Sequence, residues 1–334
     1  MSSLHHPVLY QIDTRVWLTE LSRALGAVSR ARGPGPASGW MGASAMIVSM
    51  SSGLAICVAL LALAGSAAGQ EIRPTLDKLK ETGVVQLGYR ETSRPFSFRG
   101  SDGQPAGFSI DLCLQVAGAL RESLKLPGLK VAWVPVTPAD RIPKLVKGTI
   151  DLECGSTTIT FGRMEEVAFS HMIFVDGGSL LATTESGIAT VKDLAGKRVG
   201  VVPNTTTEKA LAGALASASV QANVVTVNEH GDGLRGLEEG RLDAYASDRL
   251  LLAGLLTTAR NPAKLKLSAE FFSYEPYGLM LRRGDNTFQA NVNRTLSHLY
   301  RSGGLVQIYE RWFGSFANAS PLVKALYLLH SWPD

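Results

Sequence analysis

Two successive runs of short β-branched segments, alternating with helical ones, constrain this chain more than any other feature of its 334 residues. In the first run, residues 84–89 read as a strand and 111–124 as a helix with Leu112, Val116, Ala119 and Leu120 on one face. Residues 130–136 are a second strand, 139–146 a helix stopped by Gly148, and 149–154 a third strand. In the second run, 197–202, 223–227 and 242–247 read as strands and 206–215 and 232–239 as helices, with Asp232 the expected N-cap and Gly240 beyond the end. Such β-α-β-α-β alternation with short connections predicts a mostly parallel sheet covered by helices on both faces. A chain longer than the roughly 250–300 residues at which one core stops growing is expected to divide into two compact units. A further extended segment at 279–282 precedes a helix with Phe288, Val292, Leu296 and Leu299 inward, and a last helix ends at Trp312.

Composition removes several function classes. A net charge of +4 spread over this length leaves no nucleic-acid footprint. Cys57, Cys113 and Cys154 have no Cys-x-x-Cys spacing, so neither a zinc knuckle nor a thiol redox motif is available, and no metal or cofactor is expected. Phosphate loops, His-Glu-x-x-His pairs and Gly-x-Ser-x-Gly elbows do not occur. Residues 54–63 form an apolar run followed by small residues, with Ser66 and Ala68 at the −3 and −1 places of a cleavage site. About ten apolar residues cover only half of a ~30 Å hydrocarbon core, so this segment reads as a secretory signal, with the mature chain starting near Gly69 or Gln70. Residues 1–40 also fit an overextended start, with translation beginning at Met41 or Met46. Without the leader, Cys113 and Cys154 remain in an oxidising compartment, either as a disulfide or as two buried free thiols.

Five strings carry a resemblance: GYRETSRPFSF (88–98), GFSIDLC (107–113), RIPKLVKGTIDLECGSTT (141–158), EHGDGLRGLEEGR (229–241) and EPYGLMLRR (275–283). Over about residues 72–314 the chain resembles the extracellular solute-binding proteins of polar amino acid uptake systems, and within them the glutamate/aspartate-binding branch. The resemblance implies a type II periplasmic binding protein-like α/β fold without catalysis. Lobe one would comprise residues 72–178 and 276–334, lobe two residues 182–272, joined by a two-crossing hinge; residues 1–69 would be the N-terminal extension and signal. It further implies a periplasmic monomer that takes an acidic amino acid to the membrane permease of an ABC importer.

A glutamate binder needs guanidinium groups or helix N-terminal amides for two carboxylates and a fixed carboxylate for the ammonium. Arg163 follows the strand ending at Cys154 and the turn 155–158, at the carboxyl end of a parallel strand where ligands settle. The resemblance implies that Arg163 grips the α-carboxylate, helped by Ser156, Thr158 and Thr206, and that Asp248 pairs with the ammonium. It assigns Arg90 and Arg141 to the side-chain carboxylate, with His230 approaching the same end. Read without it, Arg90, Arg141 and Arg163 are solvated surface arginines, Asp248 is an N-cap for residues 250–255, a role that can coexist with ligand contact, His230 orients a turn, and Tyr277 is a hinge or pocket residue. Pro138, Asn204 and Thr160 depart from the branch's usual serine, glycine and amide residue, which unsettles the order of glutamate, aspartate and their amides more than the ligand class. The alternatives are an enzyme on the same scaffold, a dehydratase or lyase using His230 and Asp248 for proton transfer, and a sensory ectodomain.

Overall fold

The computed structural model describes residues 73–314 and 318–333. In chain order its first part comprises α1 (Thr75–Thr82), β1 (Val84–Tyr89), a small antiparallel sheet of β2 (Thr92–Ser93), β3 (Ser97–Arg99) and β4 (Pro105–Ala106), and α2 (Phe108–Ser123). There follow β5 (Lys130–Pro135), α3 (Arg141–Val146), β6 (Leu152–Glu153), α4 (Phe161–Met164) and β7 (Val167–Asp176). The middle part holds β8 (Gly178–Thr183), β9 (Arg198–Val201), α5 (Thr206–Ala218), β10 (Asn223–Thr226), α6 (His230–Glu238), β11 (Ala244–Asp248), α7 (Arg249–Leu256) and β12 (Leu265–Leu267). The chain returns through β13 (Glu275–Arg282), α8 (Asn286–Ser302), α9 (Gly304–Phe313) and α10 (Pro321–Leu329).

The strands make two five-stranded sheets, ordered β5-β1-β6-β13-β7 and β10-β9-β11-β8-β12. Each has the same plan. β1 lies parallel between β5 and β6, and β9 lies parallel between β10 and β11. The other pairings are antiparallel and belong to the segments that cross between sheets: β13 on β6 and β7, β8 on β11 and β12. β7 and β8 are one extended run broken at Gly177, and it carries the chain from the first sheet to the second. The fold is therefore an α/β pair of lobes linked by crossing strands.

Side-chain alternation sets both sheets. In the second sheet Leu180, Ala182, Ala244 and Ala246 face one core with Val199, Val201 and Leu211, while Leu181 and Tyr245 face another with Leu234, Leu237 and Leu252. In the first, Leu87, Leu152, Leu279 and Leu281 pack with Leu112, Val116 and Leu120 of α2 and Phe288, Val292 and Leu296 of α8. Each such side chain contributes about 1.5–3 kcal/mol when fully buried. α6 sits close on β11 because Gly233 has no side chain: a Cβ there would lie 2.3 Å from the Tyr245 ring. Cys113 in α2 is bonded to Cys154 after β6, with Cα atoms 6.1 Å apart and both residues fully buried, which decides between the two states open to these cysteines.

Three readings need correction. Asp232 is not the N-cap of α6; Glu229 is, in extended backbone, with its carboxylate accepting the Asp232 N–H while Asp232 accepts the Glu229 N–H. Intrinsic N-cap preference ranks aspartate far above glutamate, but a reciprocal box satisfies two end amides at once and wins. The third strand of the first run pairs only over Leu152–Glu153. A further helix, α10, follows the last expected one and packs on lobe one: Tyr327 Oη donates to the Ile173 carbonyl at 3.0 Å, and Ser297 Oγ donates to the His330 carbonyl at 2.7 Å. The leader reading, including Cys57, lies outside the described residues. Among the described residues, no helix is long and apolar enough to cross a membrane.

Candidate functional site

The ends of β1 and β6 and the start of α3 meet the starts of α5 and α6 and the end of β11 around one cavity. Arg90, Arg141, Ser156 and Thr158 border it from lobe one, and Thr206, His230, Tyr245 and Asp248 from lobe two. The two lobes touch around it. Arg90 Nη2 donates to Glu229 Oε2 at 3.0 Å, the Thr158 and Thr206 hydroxyls are 3.1 Å apart, and both donate to Glu275 Oε2, at 2.6 and 2.7 Å. Gly254 lies so close to the Arg94 carbonyl that a Cβ there would approach it to 2.3 Å.

Asp248 stands at the N-cap position of α7 yet caps nothing with its side chain. The helix's Leu250 N–H donates instead to Asp176 Oδ2 at 2.9 Å. That division leaves Asp248 turned to the cavity, with Oδ1 accepting from Thr207 Oγ1 at 2.7 Å and Oδ2 from the buried Tyr277 hydroxyl. Tyr277 is thus both a member of crossing strand β13 and the support of a pocket carboxylate, its ring packed edge-on at 5.1 Å from Phe96. Burial, and then Glu275, raise the Asp248 pKa to about 6, against the hydrogen bonds from Tyr277 and Thr207. Burial, and then Asp248, push Asp176 up to about 8.

Arg141 is buried, with Nη1 donating to the Thr157 hydroxyl, which itself donates to Glu153 Oε2 at 2.9 Å. Burial lowers the Arg141 pKa to about 9, opposed by Glu153, so it stays a cation at neutral pH. His230, the first residue of α6, shares a 2.7 Å hydrogen bond with the Tyr245 hydroxyl through Nδ1. Burial, then the charges of Arg90 and Arg141, lower its pKa to about 3, and the imidazole is neutral.

One expected member stands apart. Arg163 lies in α4, its Nη1 donating to the Thr158 carbonyl at 2.7 Å, and it borders a neighbouring groove with Pro138, Thr160, Asn204 and Lys209 rather than the cavity. Its guanidinium still feels Glu153, Glu275 and Asp248, which oppose the lowering by burial. Asn204 occupies a left-handed backbone position, φ 61°, which asparagine tolerates where the branch has glycine.

Residues 85–315 match the family described as bacterial extracellular solute-binding proteins, family 3. The chain belongs to that family. Among its relatives, the L-glutamate/L-aspartate-binding protein of Pseudomonas aeruginosa is 38% identical over 261 residues, covering 78% of this chain and 86% of the relative. An ancestral arginine-binding protein bound to arginine superposes with a TM-score of 0.62 at 32% identity, covering 70% of this chain and 99% of that one. An ancestral amino acid-binding protein described as a precursor of cyclohexadienyl dehydratase gives a TM-score of 0.63 at 29% identity, with 72% and 99% covered.

Three glutamates of this family 3 protein were not singled out in the sequence, although each lies inside a quoted string: Glu153, Glu229 and Glu275. All three interact with the arginines or hydroxyls of the site. The legible signal was Glu153, an acidic residue between apolar Leu152 and Cys154 in an expected buried strand. An ionisable group is rarely buried unless it is paired.

Proposed function

We propose that this protein binds glutamate or aspartate between its lobes, as a periplasmic monomer, and hands it to the permease of an ABC importer. One observation carries the reading: two arginines and a neutral histidine border the cavity against a single carboxylate, Asp248. The ammonium goes to Asp248, the α-carboxylate to Ser156, Thr158 and the amides at the start of α5 with Arg163 behind them, and the side-chain carboxylate to Arg141 and Arg90 beside His230. Glu153, Glu229 and Glu275 lie behind the cavity wall rather than on it; Glu229 is paired with Arg90, while Glu153 and Glu275 accept from protein hydroxyls. Proton transfer by a His230–Asp248 pair is disfavoured because His230 is neutral and tied to Tyr245, far from the pKa a general acid or base needs at neutral pH.

Two results are expected. Glutamate should draw the lobes together, because Asp248 and Thr206 lie on one and Arg141 and Thr158 on the other. Saturating glutamate should lower the radius of gyration in solution scattering; an unchanged curve contradicts closure. Affinity should also fall with acid. The bound ammonium favours ionised Asp248, so where Asp248 is protonated, below pH about 6, binding must release a proton. Affinity then falls by up to about tenfold per pH unit. Titrations from pH 8 to 5 that show a flat profile would remove Asp248 from the ammonium.

A further inference from the structure

The pair Arg90–Glu229 spans the lobes, and the ligand contacts above use only its arginine. Arg90 follows β1 in lobe one, while Glu229 caps α6 in lobe two. The Glu229 carboxylate is held from both sides. Its Oε2 accepts from Arg90 Nη2 at 3.0 Å and from Thr92 Oγ1 at 2.5 Å, and the side chain also accepts the Asp232 N–H of its own helix. The Arg90 side chain, 3% exposed against 28% for Glu229, also borders the cavity, and its Nε is buried without a partner. One cation therefore faces a fixed protein carboxylate on one side and the cavity on the other.

We propose that Glu229 is a specificity-determining residue: it supplies Arg90 with an anion whenever the lobes close, and so moderates the preference for acidic over amide ligands. This rests on the reading of the cavity as an amino acid site whose distal end is marked by Arg90 and Arg141. A buried cation without an anion is costly. With Glu229 ionised, closure over a neutral side chain leaves Arg90 paired, and the lobes have an attraction that no ligand provides. Without that charge, only an anionic ligand can satisfy Arg90, so an amide ligand closes the lobes over an unpaired guanidinium.

Glu229→Gln tests this, since the amide oxygen can still accept the Asp232 N–H and the NH2 can donate to the Thr92 hydroxyl while the charge is gone. Wild type and variant are titrated with glutamate and glutamine. Glutamine affinity should drop about tenfold or more and glutamate affinity much less, so the acid-to-amide ratio rises by about tenfold. A role as helix cap alone weakens both ligands equally; an unchanged or falling ratio overturns the proposal. Dye pairs placed one on each lobe, read without ligand, should report a more open population in the variant, and an unchanged distribution overturns the clasp. If wild type binds neither ligand, the functional reading fails and the specificity claim falls with it, while the ligand-free comparison still decides the clasp.

Discussion

Arg141→Met should cost glutamate and aspartate roughly 2–5 kcal/mol of binding free energy while leaving glutamine little changed or improved. The size follows from where Arg141 sits: buried at the cavity wall, its Nε without a partner, its Nη1 on Thr157, with Glu153 one hydroxyl further. A ligand carboxylate that approaches it meets a cation already stripped of water, and losing that cation leaves the ligand's own charge desolvated and unpaired. A neutral ligand loses no such partner. Asp248→Asn, by contrast, should weaken all α-amino acids alike, because every one of them carries the ammonium. Calorimetric titration of the Arg141→Met protein with glutamate and glutamine checks the division, with a thermal melt to confirm the fold. Equal losses for both ligands would place the side-chain end of the cavity elsewhere.

The second large effect concerns the fold. Replacing Cys113 and Cys154 together by alanine should lower stability by about 4 kcal/mol, because the bond closes a loop across a sequence separation of 41 residues. It also ties α2 to the turn that presents Ser156 and Thr158, a link repeated by Ser109 Oγ, which donates to the Gly155 carbonyl at 2.7 Å. Glutamate affinity should therefore fall as well. Urea unfolding of oxidised wild type and the double variant measures the first effect, and a difference below about 1 kcal/mol would contradict it.

How much was legible depended on whether the information is local. Periodicities of two and 3.6 marked both runs of strands and helices, since Val199 and Val201, or Leu112 and Val116, reveal their faces within a few residues. The resemblance pointed to Arg90, Ser156 and Asp248, and each borders the cavity from a position at or just past a strand end. What stayed hidden was pairing over distance. Nothing in the neighbourhood of Glu229 announces Arg90, 139 residues away, nor does Glu275 announce Thr158 at 117. The cap of α6 was misread because a reciprocal box depends on two residues together, and Arg163 borders the neighbouring groove because its guanidinium turns back onto the Thr158 carbonyl. α10 was missed because it follows the end of the resemblance, and its fit to β7 is a tertiary contact.

The ligand's charge is the point on which everything above depends, and one calorimetric series decides it: glutamate, aspartate, glutamine and arginine titrated into the protein at pH 7.5. Both acids should bind, more tightly than glutamine, with arginine giving no saturable heat. Arginine or glutamine binding more tightly than either acid would mean that Glu153, Glu229 and Glu275, not Arg90 and Arg141, set the character of the cavity.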